Sequence, residues 1–181
     1  MGEAEEVRVR PARRAEASAL AALIDAAFAE YAGREPRAVW AAYLAETRDV
    51  ARRWDAAEVL VAEAGGAPVG TVSYLAEASQ GDMGLPAGWA GFRALAVPPA
   101  ARGCGVGAAL VRACAARARA AGRPALGIHT HPAMTAPLAL YRRLGFVRAP
   151  ELDVDAAALM GLADEGSACL VALRLDLAGR A

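Results

Sequence analysis

The sequence predicts a mixed α/β (α+β) fold, a single central sheet of about seven strands flanked by about four helices. Three observations carry this expectation. The apolar period switches repeatedly between 2 and 3.6, so strands and helices are interleaved along the chain. Gly65-Gly66 joins two strand-like runs as an antiparallel hairpin, and at mid-chain a strand, a glycine-rich turn and a helix follow one another. Finally, the 181 residues contain no repeat, low-complexity tract or linker, which gives one domain, 1–181, large enough to bury a sizeable core.

Val7-Arg8-Val9-Arg10 alternates apolar and charged residues and reads as a short strand stopped by Pro11. From Glu16, Leu20, Leu23, Ile24, Ala27, Phe28 and Tyr31 recur at helical spacing, an amphipathic helix that Gly33 ends. Pro36 starts a second helix, whose stripe runs from Val39 and Trp40 through Tyr43 and Leu44 to Val50 and Trp54. Residues 58–63 and 68–75 are the hairpin strands. Residues 76–88 form a long loop, and long loops in compact domains often bind ligands. A strand over 89–97, a helix over 106–121 closed by Gly122, and a strand over 125–131 closed by Pro132 follow. Residues 134–144 form a short helix ended by Gly145, Phe146 restarts a strand, 151–166 read as acidic and irregular, and 168–177 alternate as a final strand.

Composition removes several classes of function. Net charge is zero and the charges are interspersed, which argues against nucleic acid or a membrane surface as the main partner. Hydrophobic residues make up 56%, much of it alanine, and no run approaches the ~18 apolar residues of a membrane span. The first six residues are acidic without an apolar core, unlike a signal peptide, and Glu6 stands where myristoylation requires Ser or Thr. Cys104, Cys114 and Cys169 are scattered, forming neither a disulfide framework nor a metal motif. A reduced, soluble, cytoplasmic protein without a metal is expected.

The mid-chain turn Arg102-Gly103-Cys104-Gly105-Val106-Gly107 carries the chemistry. A strand, a glycine-rich turn and a helix start together aim backbone N–H groups and a positive helix end at one spot, which suits phosphate or pyrophosphate. A nucleotide P-loop requires lysine, and the chain contains none. A dinucleotide fingerprint requires G-x-G-x-x-G after the first strand; here the spacing is G-x-G-x-G at mid-chain. The turn instead resembles the acetyl-CoA signature of the GNAT N-acetyltransferase superfamily, Arg/Gln-x-x-Gly-x-Gly/Ala, with Arg102, Gly105 and Gly107 in its fixed positions. The element order is similar to the GNAT fold along nearly the whole chain, and Leu140-Tyr141-Arg142-Arg143-Leu144-Gly145-Phe146 resembles the family's late Tyr-x-x-x-Gly-Phe motif.

The resemblance implies specific roles. Leu95-Ala96-Val97 would pair with the pantetheine arm of acetyl-CoA, on a strand that splays from the strand bearing Leu126. Arg102, Gly103, Cys104, Gly105, Val106 and Gly107 would hold the pyrophosphate, and Tyr141 would protonate the departing thiolate. The expected activity is acetyl transfer to a primary amine, favouring a small-molecule acceptor, and homodimers are common in the resembled family. Two positions depart from the pattern: Arg93 and Gly91 stand where many members carry a glutamate base, and Met134 replaces an asparagine. His129, Glu77 or no dedicated base at all are the alternatives, while His131 reads as a surface turn residue. Glu77, Asp82, Glu151, Asp153 and Asp155 are acids that would suit a cationic amine if they bordered the acceptor site. Cys104 could be activated at a helix start, but the pattern accepts almost any residue there. A non-catalytic acyl-CoA sensor of the same fold is the second reading, and a dinucleotide oxidoreductase the third.

Overall fold

The computed structural model describes residues 6–33, 36–80 and 84–178. Its centre is a mixed sheet. Strand β1 (Arg8–Pro11) lies antiparallel to β2 (Glu58–Ala64), which pairs with β3 (Ala67–Leu75), which pairs with β4 (Ala90–Ala96). β4 runs parallel to β5 (Ala125–Thr130), and β5 pairs antiparallel with the long β8 (Cys169–Asp176). Two short strands, β6 (Val147–Arg148) and β7 (Val154–Asp155), share β8 as partner.

Both faces of the sheet are covered, and the strand period shows it. Val59 and Val61 face helix α1 (Ala17–Phe28), whose Leu20, Ile24 and Phe28 pack there. Leu60 and Ala62, one residue out of phase, face α4 (Val106–Ala120), packing with Leu110, Cys114 and Ala118. Burial raises the Cys114 thiol to about 12, so it is an inert core residue.

The expected second helix breaks in two, α2 (Arg37–Arg48) and α3 (Val50–Arg53). Asp49 is the cause: it leaves the helical region at ψ 71° and its carboxylate accepts the Arg52 N–H at 3.0 Å, the behaviour of an N-cap. Residues 151–166 are also more ordered than their composition suggests. β7 and α6 (Ala156–Leu159) fold back along β8, with Asp155 capping Ala157 N–H and holding Ala168 N–H. With α5 (Thr135–Arg143), the described residues contain eight strands and six helices.

Two irregularities set the shape of β4 and of its C-terminal end. Ser73 pairs with Arg93 and Thr71 with Ala96, so one residue of β3 faces two of β4, Ala94 and Leu95. Ala94 takes φ +54°, a left-handed conformation that costs an alanine about 1–2 kcal/mol. On its other side β4 pairs with β5 only at Ala90–Leu126 and Gly91–Gly127; beyond these the two strands diverge.

Candidate active site

The diverging strands open a cleft at the C-terminal end of β4. One hollow of about 340 Å³ runs from Leu95 and Val97 across Gly103, Gly105 and Gly107 to Arg143 on α5. Its floor is backbone. Gly105 takes φ +81° and forms the N-cap of α4, with no side chain capping the first-turn N–H groups. Those donors therefore face the hollow without internal partners, and the helix dipole adds positive potential there. A Cβ at Gly103 or Gly105 would meet nothing within 4 Å, which is open room for a ligand at the turn. The turn therefore fits a pyrophosphate, and the unladdered edge of β4 fits an extended amide-bearing arm.

Arg102 differs from its expected role as a waiting cation. Its Nε donates to Val97 O at 3.0 Å, and its Nη2 donates to Ala27 O at 3.1 Å and pairs with Glu30. It thus clamps the glycine turn to the C-terminal end of α1, where carbonyls and a cation attract. The guanidinium without an ion-pair partner among the described residues lining this hollow is that of Arg143. Cys104 is exposed on the turn.

A second, smaller hollow of about 90 Å³ adjoins the first, and Phe28, Leu95, Met134 and Pro137 line both. Its walls are side chains: Trp40 and Tyr43 from α2, Ile128 to His131 from β5 and just beyond, Tyr141 from α5, and Met160 and Leu170. Tyr141 is 3% exposed, with its ring against Phe92 at 5.7 Å and Phe146 at 5.7 Å. Gly145 makes this possible: at φ +90° it turns the chain so that Phe146 N–H returns to Tyr141 O at 3.0 Å. Burial pushes the Tyr141 phenol well above its ordinary pKa, so it stays protonated at neutral pH. Among the described residues, none hydrogen-bonds its hydroxyl.

Both histidines border this chamber. His129 Nε2 donates to Leu152 O at 2.7 Å, which places the ring proton on Nε2. His131 is not the surface turn residue that its sequence neighbours suggest; it packs against Trp40 at 5.8 Å, and its Nδ1 accepts Ala133 N–H at 3.1 Å. The sequence signal that could have placed it there is its i, i+2 phase with His129. No group of three or more potential metal ligands occurs among the described residues.

The acids expected near the acceptor lie elsewhere. Glu77 binds Arg123 at 3.0 Å and Gly88 N–H at 2.9 Å, at the far end of β4, so the described part of the long loop serves structure. There Leu85 packs over Gly91 and Gly127. Asp153 holds Arg148 and the Ala172 N–H, Asp155 caps α6, and Glu151 faces Arg174 at 3.6 Å. None of these four lines either hollow, and Asp82 lies outside the described residues.

Two hollows sharing one wall, the larger lined by backbone donors and the smaller holding a buried phenol, suit a reaction that transfers a group between two ligands. Residues 18–146 match the model of the acetyltransferase (GNAT) family, and the chain belongs to that family. Solved structures share the fold. A GNAT acetyltransferase of Brucella melitensis, crystallised with acetyl-CoA, is 26% identical over 79% of this chain and 84% of that one, with a TM-score of 0.57. A ribosomal-protein-alanine N-acetyltransferase from Brucella melitensis is 23% identical over 94% and 99% of the two chains, with a TM-score of 0.62. A Bacillus subtilis acetyltransferase in complex with CoA is 18% identical over 95% and 99%, with a TM-score of 0.64. A search of the curated proteins found no match.

Proposed function

We propose that residues 1–181 form one acetyltransferase domain that moves the acetyl group of acetyl-CoA to a primary amine by direct attack. One observation carries this reading: the two hollows meet at Leu95 and Met134, so a thioester from one side and an amine from the other would face each other there. The Brucella melitensis structure with acetyl-CoA supports the identity of the donor.

In this mechanism, Gly103 to Gly107 hold the pyrophosphate through backbone N–H groups, and Leu95, Ala96 and Val97 hold the pantetheine arm. Arg102 keeps the turn in place by its bonds to Val97 and α1. Backbone N–H groups of β4 polarise the thioester carbonyl. The neutral amine nitrogen attacks that carbon, the C–N bond forms, and the C–S bond breaks with its electron pair leaving on sulfur. Tyr141 donates its phenolic proton to the thiolate. The amine proton passes to His129, directly or through water, or to solvent. We place the protein in the cytoplasm on its three free cysteines, which suit a reducing compartment. Among the described residues, no helix is long and apolar enough to cross a membrane.

The test is thiol release from acetyl-CoA against a panel of primary amines. Amine-dependent release establishes the reaction. Tight CoA binding with no release for any amine would favour the sensor reading.

A further inference from the structure

The smaller hollow also selects the acceptor. We propose that it takes a primary amine carried on a small apolar body, one aromatic ring or a branched alkyl group, with no second positive charge. This deepens the acetyl-transfer reading and rests on it.

Size sets the first limit. At roughly 10–15 Å³ for each water-sized group, the ~90 Å³ chamber admits about six to nine such groups, the bulk of a single ring rather than a peptide. The walls set the second. Trp40 stacks on Tyr31 at 5.9 Å with planes 5° apart, meets Tyr43 edge-on at 5.9 Å, and touches His131. These mutual contacts fix a preformed aromatic surface, which binds an apolar body without a large ordering cost. Ala156 and Met160, from the segment that composition describes as acidic, and Leu170 of β8 add further apolar lining.

Charge sets the third limit. Among the described lining residues there is no carboxylate. The charged residue there is Arg93, which pairs with Glu46 at 2.6 Å. Behind it sits Arg53, 6% exposed, which donates to Ser73 Oγ at 2.6 Å while its Nε and Nη2 have no partner. Burial, together with repulsion from Arg93, lowers Arg53 to about 10. A second ammonium on the acceptor would be desolvated beside Arg93 and Arg53, and the nearby carboxylate, Glu46, is already engaged by Arg93, an expensive arrangement. The nitrogen that reacts avoids that cost because it must be neutral to attack.

Calorimetric titration of the CoA-saturated protein with 2-phenylethylamine and with spermidine tests the proposal separately from turnover. The expected result is phenylethylamine binding at least about tenfold more tightly than spermidine, the size of one desolvated charge or aromatic anchor. Trp40→Ala should weaken phenylethylamine about tenfold while CoA affinity changes less than about twofold. Leu170→Glu, which supplies the missing carboxylate, should shift the preference towards spermidine and guards against a Trp40 variant that misfolds. Spermidine binding as tightly as phenylethylamine, or neither amine binding while CoA does, overturns the proposal. Failure of acetyl transfer itself would appear as absent thiol release, whatever the order of amine affinities.

Discussion

The two hollows are neighbours built by opposite means. The larger is organised by backbone, with glycines, an uncapped helix start and a strand edge that leaves its neighbour, and side chains of α1 and α5 complete it. The smaller is made of side chains from α1, α2, β5, α5 and the stretch between β7 and β8, brought together only by the fold. A backbone site depends on φ angles and tolerates most side chains beside it, as exposed Cys104 illustrates. A side-chain site depends on shape and charge, and can be retuned one residue at a time.

The largest expected effect tests the junction between them. Tyr141→Phe removes the proposed proton donor while keeping the ring against Phe92 and Phe146, and should lower kcat about 100-fold with little change in acetyl-CoA KM. Unchanged turnover would remove the general-acid role. Next comes the backbone site: Gly105→Val forces a β-branched residue to φ +81°, and acetyl-CoA Kd should rise tenfold or more, from about 1–2 kcal/mol of strain. If calorimetry shows wild-type affinity, the turn is not the phosphate cradle.

A smaller effect is expected at the bulge that separates the two sites. Ala94→Gly relieves the left-handed strain and loses some unfolded-chain restriction, for a net gain of up to about 1 kcal/mol in urea unfolding. A loss of stability would mean that the bulge is not strained. The smallest effect lies outside both hollows. Arg10 bonds Glu16 and Glu63, and holds the Glu16 carboxyl at about 2, below the ordinary 4.5. A depressed folded-state value stabilises the protein above pH 4.5 and loses that contribution as pH falls towards 2. Glu16→Gln should therefore be less stable than the parent at pH 7 and indistinguishable from it near pH 2.

The contrast between the hollows also explains what could be read from the sequence. Gly105 and Gly145 each answer a local backbone demand for positive φ, so the turn, the α5 end and the order of elements were legible from spacing. The parallel pair that splays after Gly91 followed from the resemblance and is seen in the register. The fate of the acids was not legible. Asp49, Asp153 and Asp155 serve backbone N–H groups, and Glu77 serves Arg123, because unpaired donors and arginines claim nearby carboxylates before any ligand does. Nothing local marks Trp40 and His131 as neighbours, since they lie about ninety residues apart and meet only across the fold. Ala94 carries no glycine to advertise its bulge.

The short pairing between β4 and β5 has a mechanical meaning. With two paired positions joining them, the sheet is divided by a seam into two panels, β1 to β4 on one side and β5, β8 and β6 on the other. An amide-rich arm lying in that seam would supply the missing rungs, so each catalytic cycle would fasten and unfasten the panels. Ligand at about 100 times its Kd would add about 2.7 kcal/mol to the assembled state. Amide protons along the open edge of β4 would then exchange slowly in the loaded enzyme and quickly once product leaves.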